Sequence, residues 1–238
     1  MVLLSEHGEK IFSQFGEDGI TKKIFDIIGF GNKICVEIGT ESGDECCSRI
    51  LWENYEFKQF LFDNNHENSE INLKKVTVNL ENVLSLFEES NIPDEFDFLS
   101  VDIDSYDFYI VHKILTRYNP KVLVVESHPI FLKEDKVVTY DNLNNYPATG
   151  IHCYGASAMA WFNSLEDKYD FVCHENNGIN MFFIRKDINK NEEIAGINNF
   201  EMLYKEHKDL VNYVSVDERC ESVTGIEAKK YINLWKFY

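Results

Sequence analysis

The chain has 238 residues, 44% of them apolar and 27% charged, which excludes collagen-like, low-complexity and mostly disordered proteins and predicts one large core with appendages. With 23 Lys and Arg against 41 Asp and Glu the formal charge is −18, a surface that repels a phosphate backbone and argues against a nucleic-acid partner. No apolar run approaches the roughly 18–20 residues of a membrane span, and MVLLSEHGEK has neither the basic start nor the long apolar stretch of a signal peptide, so the expected location is the cytoplasm.

Short β-like runs alternate with helical patterns, which predicts an α/β fold with a mostly parallel sheet covered by helices. Residues 17–29 carry Ile20, Ile24, Ile27 and Ile28 at helical spacing, and KICVEI at 33–38 reads as a doubly buried first strand. A helix over 44–55, a strand QFLFD at 59–63 and a weaker third strand VTVNL at 76–80 follow. Next come a helix at 82–90, a fourth strand DFLSVDID at 97–104, a helix through Phe108, Val111, Ile114 and Leu115, and a fifth strand KVLVVE at 121–126. The segment 127–154 has two prolines, several asparagines and little periodicity, and reads as a functional loop or lid. A helix over 155–167 precedes YDFVCHE and INMFFIRK, and the Glu-Asn-Asn-Gly at 175–178 between them predicts an antiparallel hairpin at the end of the sheet. Two further helices are expected near 199–211 and 225–235. The chain therefore reads as one domain, with a core over about 12–187 and a helical appendage over 188–238. Six cysteines (Cys35, Cys46, Cys47, Cys153, Cys173, Cys220) form no CxxC pair and are expected to be reduced, with Cys46 and Cys47 diverging on a helix as core residues.

Chemistry-bearing residues gather where the strands end. VEIGTESGD places Glu37, Gly39 and Gly43 at a strand-to-helix turn, where glycines admit a ligand to the backbone and a helix start offers free N–H groups. G-x-G-x-x-G is absent, and Glu37 and Asp44 would repel a pyrophosphate but suit a zwitterionic or cationic ligand such as S-adenosylmethionine. A tight turn without ligand is the alternative. Asp63, at the end of the second strand and about 20 residues from the glycine turn, is placed to accept from ribose hydroxyls. Strand period puts Asp102 and Asp104 on one face at the carboxyl end of the fourth strand, and Glu126 and His128 likewise share a face at the end of the fifth, so the four are expected to converge. Three carboxylates and an imidazole crowded together are costly unless they hold a cation or share a proton. Such a set suits Mg²⁺ or Mn²⁺ binding, deprotonation of a hydroxyl, or both, and a solvated acidic rim is the alternative. His152 and Tyr154 are further polar candidates, and Trp161 and Phe162 read as core.

Taken together, FSQFGEDGI (12–20), VEIGTESGD, FDFLSVDID, KVLVVESHP, YGASAMAW (154–161) and GINMFFIRKD resemble the FkbM-type family of S-adenosylmethionine-dependent O-methyltransferases over about residues 12–187. The resemblance implies a Rossmann-like class I methyltransferase with a seven-stranded sheet and helices on both faces. It implies that Ser13 and Gln14 pack over the cofactor, that Glu37, Gly39 and Gly43 surround its methionine part, and that Asp63 holds the ribose; Asp102 is counted with these cofactor-binding residues. Asp104 aligns with the aspartate of the family's K-I-D-x-E-G strand, but Asp102 stands where the family has lysine and Ser105-Tyr106-Asp107 replaces V-E-G. Related sugar O-methyltransferases bind a divalent metal with acids at the ends of strands four and five, the positions of Asp104 and Glu126, with His128 beside them. The expected function is methylation of a sugar or glycan hydroxyl, with Asp104, Glu126 and His128 as the catalytic group. Two other classes stay open: a sugar-nucleotide oxidoreductase and a non-catalytic binding module on the same fold. The sequence leaves open whether the chain acts alone, as a homo-oligomer or within a longer multidomain glycan-assembly protein.

Overall fold

Seven strands form the central sheet of the computed structural model, which describes residues 1–131, 133–138, 154–189, 193–207 and 221–234. In chain order its elements are α1 (Glu17–Ile28), β1 (Ile34–Ile38), α2 (Arg49–Tyr55), β2 (Lys58–Asp63), β3 (Leu73–Lys75), α3 (Val83–Glu89), β4 (Glu95–Val101), α4 (Asp107–Ile114) and β5 (Asn119–Glu126). There follow β6 (Val137–Val138), α5 (Ala158–Leu165), β7 (Tyr169–His174), β8 (Asn180–Arg185), α6 (Phe200–Leu203), β9 (Ser222–Val223) and α7 (Gly225–Leu234). The sheet order is β3-β2-β1-β4-β5-β8-β7, and β6 pairs with β9 in a separate two-stranded antiparallel sheet. The first five strands run parallel, and β8 enters antiparallel between β5 and β7.

Alternation along the strands divides the core in two, as a sheet covered on both faces requires. Val36, Leu99, Leu123 and Phe183 point to the side packed by α3, α4 and α5; Cys35, Phe98, Val122 and Phe182 point to the side packed by α1 and α2. Helices therefore flank both faces, in the open, doubly wound arrangement of Rossmann-like folds. Trp161 is wholly buried on the first side and Phe162 packs against that core, as expected of core residues.

Four local expectations change. The third strand is Leu73–Lys75, not 76–80. Val76 still donates to the Asp63 carbonyl at 2.7 Å, but β2 ends there, and paired Asx bonds between Asn79 and Asn82 turn the chain into α3. α2 begins at Arg49 rather than 44, so Cys46 and Cys47 precede the helix instead of riding on it. β4 stops at Val101, which leaves Asp102 and Asp104 in a loop beyond the strand. The two-stranded sheet of β6 and β9 was not expected. Cys35, Cys46, Cys47 and Cys173 are free thiols. Most of the expected lid, with His152 and Cys153, lies outside the described residues, as do Cys220 and residues 208–211 of the expected helix. No helix among the described residues is long and apolar enough to cross a membrane.

Candidate functional site

β1 and β4 are neighbours whose chains leave toward opposite sides of the sheet, so their carboxyl ends bound the crevice that open α/β sheets use for ligands. Gly39 sits at that point with φ +86°, and a Cβ there would lie 1.6 Å from the carbonyl oxygen of Asp102. Glycine is therefore demanded by the approach of two backbones as well as by its left-handed conformation. Gly43 closes the turn through its N–H to the Thr40 carbonyl at 2.9 Å, at φ +88°.

A cleft of about 580 Å³ opens over these strand ends, lined among others by Gly39, Glu41, Asp63, His66, Asp102 and Asp104. That volume is within the range of small-molecule sites. Its second end is built from loops after β2 and β3, through Asn64, Asn65, Thr77 and Asn79, with Tyr106 contributing from the loop before α4.

Three carboxylates meet at the β4–β5 edge: oxygens of Asp102, Asp104 and Glu126 lie within 4.8 Å of one another. Asp104 holds a left-handed φ of 55°. Asp107, buried at the start of α4, folds the loop by accepting from the Ile103 and Ser105 amides at 2.6 and 2.9 Å. Trp161 donates from Nε1 to the Glu126 carbonyl at 2.8 Å and pins the end of β5. Among the described residues no hydrogen bond reaches the three side chains. Burial first, then the charges of Asp107, Asp104 and Glu37, pushes the Asp102 carboxyl well above the usual range. Burial and the neighbouring aspartates do the same to Glu126, and burial raises Asp107 to about 6. An all-oxygen, like-charged group of this kind suits a hard divalent cation such as Mg²⁺ or Mn²⁺, or a shared proton.

His128 does not join this group. Its backbone N–H donates to the Ala156 carbonyl at 2.7 Å, and its buried ring stands edge-on to Tyr154 at 4.4 Å and beside Phe131 at 6.3 Å. The chain turns past the end of β5, so strand period no longer carries His128 to the face of Glu126.

The remaining expected residues divide by what their side chains touch. Glu37 is almost wholly buried, and its two oxygens accept from the Cys47 and Ser48 amides at 2.8 Å each, which anchors the start of α2. Burial raises its pKa and those bonds pull it back. Glu37 is not among the residues lining the cleft. Ser13 is buried, and its hydroxyl donates to Asp18 Oδ2 at 2.8 Å while accepting the Asp18 N–H at 3.2 Å. Gln14 is exposed, and neither it nor Ser13 lines the cleft.

Asp63 does line the cleft, but it accepts from the Glu41 amide at 3.0 Å, the Asn65 and His66 amides at 2.7 and 2.9 Å, and His66 Nδ1 at 3.0 Å. Burial alone would raise its pKa; the donors from Asn65, His66 and Glu41 outweigh that and hold it below the usual carboxylate range. Sequence reasoning missed His66, for which the Asp-x-x-His spacing directly after a strand was the available signal. It also missed Asp107, whose clamp depends on a loop that reads as strand.

Compared with models of protein families the chain matches none, and no curated protein matches it either. Fold and site together define an α/β chain whose switch-point cleft has an Asp63–His66 pair and the Asp102 and Asp104 carboxylates on its walls, with Glu126 beside those two aspartates.

Proposed function

We propose that the chain is an S-adenosylmethionine-dependent O-methyltransferase of the class I fold that acts on a sugar or glycan hydroxyl with the help of Mg²⁺ or Mn²⁺. The observation that carries this reading is the meeting of Asp102 and Asp104, on the wall of a nucleoside-sized cleft at the β1–β4 switch point, with Glu126 beside them. The sheet order, with an antiparallel strand inserted next to the edge, and the motif resemblance across residues 12–187 support the same reading.

The residues fit both groups. A cleft with Glu41, Asp63, Asp102 and Asp104 on its walls favours a cationic ligand over a pyrophosphate. The close approach of the Asp102 carbonyl at Gly39 holds the ends of β1 and β4 together at the cleft, where Gly39 lines its wall. The cofactor supplies an electrophilic methyl group, and a divalent ion supplies the Lewis acidity that lowers a hydroxyl's pKa. Asp102, Asp104 and Glu126 would hold that ion. Burial and like charge hold the Asp102 and Glu126 carboxyls well above the usual range, a crowding that an ion bound among them would offset. Asp107 and Trp161 keep the carboxylates in place through backbone contacts, so the acceptor oxygen meets a fixed frame.

Calorimetric titration of the chain with S-adenosylhomocysteine, with and without Mg²⁺, tests the reading. Micromolar binding followed by a mass gain of one methyl group on a glycan substrate is expected. Absence of binding under both conditions overturns the proposal.

A further inference from the structure

Asp63 stands where an open α/β sheet commonly offers an acid to a ribose, yet its carboxylate is already engaged. Oδ1 accepts three hydrogen bonds, from the amides of Asn65 and His66 and from His66 Nδ1. Oδ2 accepts one, from Glu41. A two-pronged grip on a vicinal diol needs both oxygens turned to the ligand, and Oδ1 has none of its capacity left.

The same bonds define the neighbouring ring. Asp63 is held in its ionised form by these donors, and an ionised carboxylate only accepts. The ring nitrogen facing it, Nδ1, therefore carries the proton. In the neutral ring Nε2 is left bare, as an acceptor. The His66 side chain is 46% exposed and forms part of the cleft wall with Asn64 and Asn65.

We propose that Nε2 of His66 accepts a hydrogen bond from a ribose hydroxyl of a nucleoside ligand in the cleft, with Asp63 as the positioning residue that fixes the ring's tautomer and direction. This inference rests on the reading of the cleft as a S-adenosylmethionine site. It moves the ribose contact from Asp63, the residue expected from sequence, to a side chain three positions on.

Adenosine, 2′-deoxyadenosine, 3′-deoxyadenosine and S-adenosylhomocysteine are titrated into the full chain and its His66→Phe variant, in mildly alkaline buffer. Wild type is expected to bind adenosine about three- to tenfold more tightly than at least one deoxy analogue, the worth of one hydrogen bond. The His66→Phe variant is expected to bind them alike. Nitrogen-15 spectra of the imidazole give the second reading, which needs no variant: the wild-type ring is expected to be protonated at Nδ1, and the Asp63→Ala ring to lose that preference. Equal affinity of wild type for adenosine and both deoxy analogues, or a ring protonated at Nε2, overturns the inference while S-adenosylhomocysteine binding leaves the proposed function standing. Failure of every nucleoside and of S-adenosylhomocysteine to bind removes both.

Discussion

Asp102 shows how a site residue works against the fold that holds it. Its carboxyl is raised by burial and by Asp107, Asp104 and Glu37. A folded pKa above the unfolded one gives stability that is present at acid pH and lost as pH rises, so keeping this carboxyl buried costs stability at neutral pH. Asp102→Asn is therefore expected to stabilise the chain by about 0.5–2 kcal/mol in urea titrations at neutral pH, the usual gain when a strained functional group is relieved. The same substitution should shrink the thermal shift produced by Mn²⁺. A variant less stable than wild type would contradict the repulsion argument, and an unchanged Mn²⁺ shift would remove Asp102 from the cation group. Sequence period brought Asp102 and Asp104 together for a reason that the structure replaces. They meet Glu126 because Asp107 and a left-handed Asp104 fold a loop, not because they alternate along a strand.

At the scale of elements, two carboxylates organise backbone far from themselves in sequence. Glu37 holds the amides of Cys47 and Ser48, ten and eleven residues on, and this delays α2 relative to its helical pattern. Asp18 Oδ2 gathers the amides of Ile11, Phe12 and Ser13 and the Ser13 hydroxyl, all at 2.7–2.8 Å. The strap before α1 is thereby tied to its first turn, where Phe12 lies under the Arg49 guanidinium at 4.8 Å. Asp18→Ala leaves those donors without their acceptor, and a loss of at least about 1.5–3 kcal/mol is expected, the range for a hydrogen bond to a charged group. Urea unfolding measures the loss, and hydrogen exchange at residues 11–13 should accelerate with it. Unchanged exchange there would show that the strap is held by other contacts. Apolar runs made the strands from β1 through β8 readable one by one, apart from β3 and β6. Neither carboxylate clamp was readable, because each is a pairing of one side chain with amides that nothing in the local pattern marks.

For the whole molecule, burial of polar groups between sheet and helices sets the response to acid. His112 lies between α4 and α5, its Nε2 bonded to Ser164 Oγ at 3.0 Å, and burial with nearby Lys229 lowers its pKa to about 3. His174, also lowered to about 3 chiefly by burial, accepts the Lys205 amide at Nδ1 and so donates from Nε2 to Ser127 Oγ, which donates on to the Ile179 carbonyl. That chain leaves His174 no bare nitrogen, and it serves the fold rather than proton transfer. A histidine depressed from about 6.5 to about 3 keeps its full contribution above about pH 6.5, and loses it as pH falls toward 3. Several carboxylates with raised pKa values act in the opposite sense, so the comparison must be differential. Relative to His174→Gln, wild type is expected to lose about 1.4 kcal/mol of stability between about pH 7.5 and 5.5, measured by urea midpoints. Parallel pH profiles for the two proteins would show that His174 titrates normally in the folded state.

The residue order by itself determined the α/β class, the parallel strands and closing hairpin, and the gathering of acids at the strand ends, because apolar period and strand-end position are local properties of the chain. It also marked Gly39 and Asp63 as members of the site. Only the tertiary structure decided what those side chains touch. It turned Asp63 onto backbone amides and His66, spent Glu37 on the start of α2, set His128 against Tyr154 and away from the carboxylates, and brought Asp102, Asp104 and Glu126 within 4.8 Å. Each of those outcomes depends on which distant donor or ring competes for a polar group once water is excluded, and that competition exists only in the assembled fold.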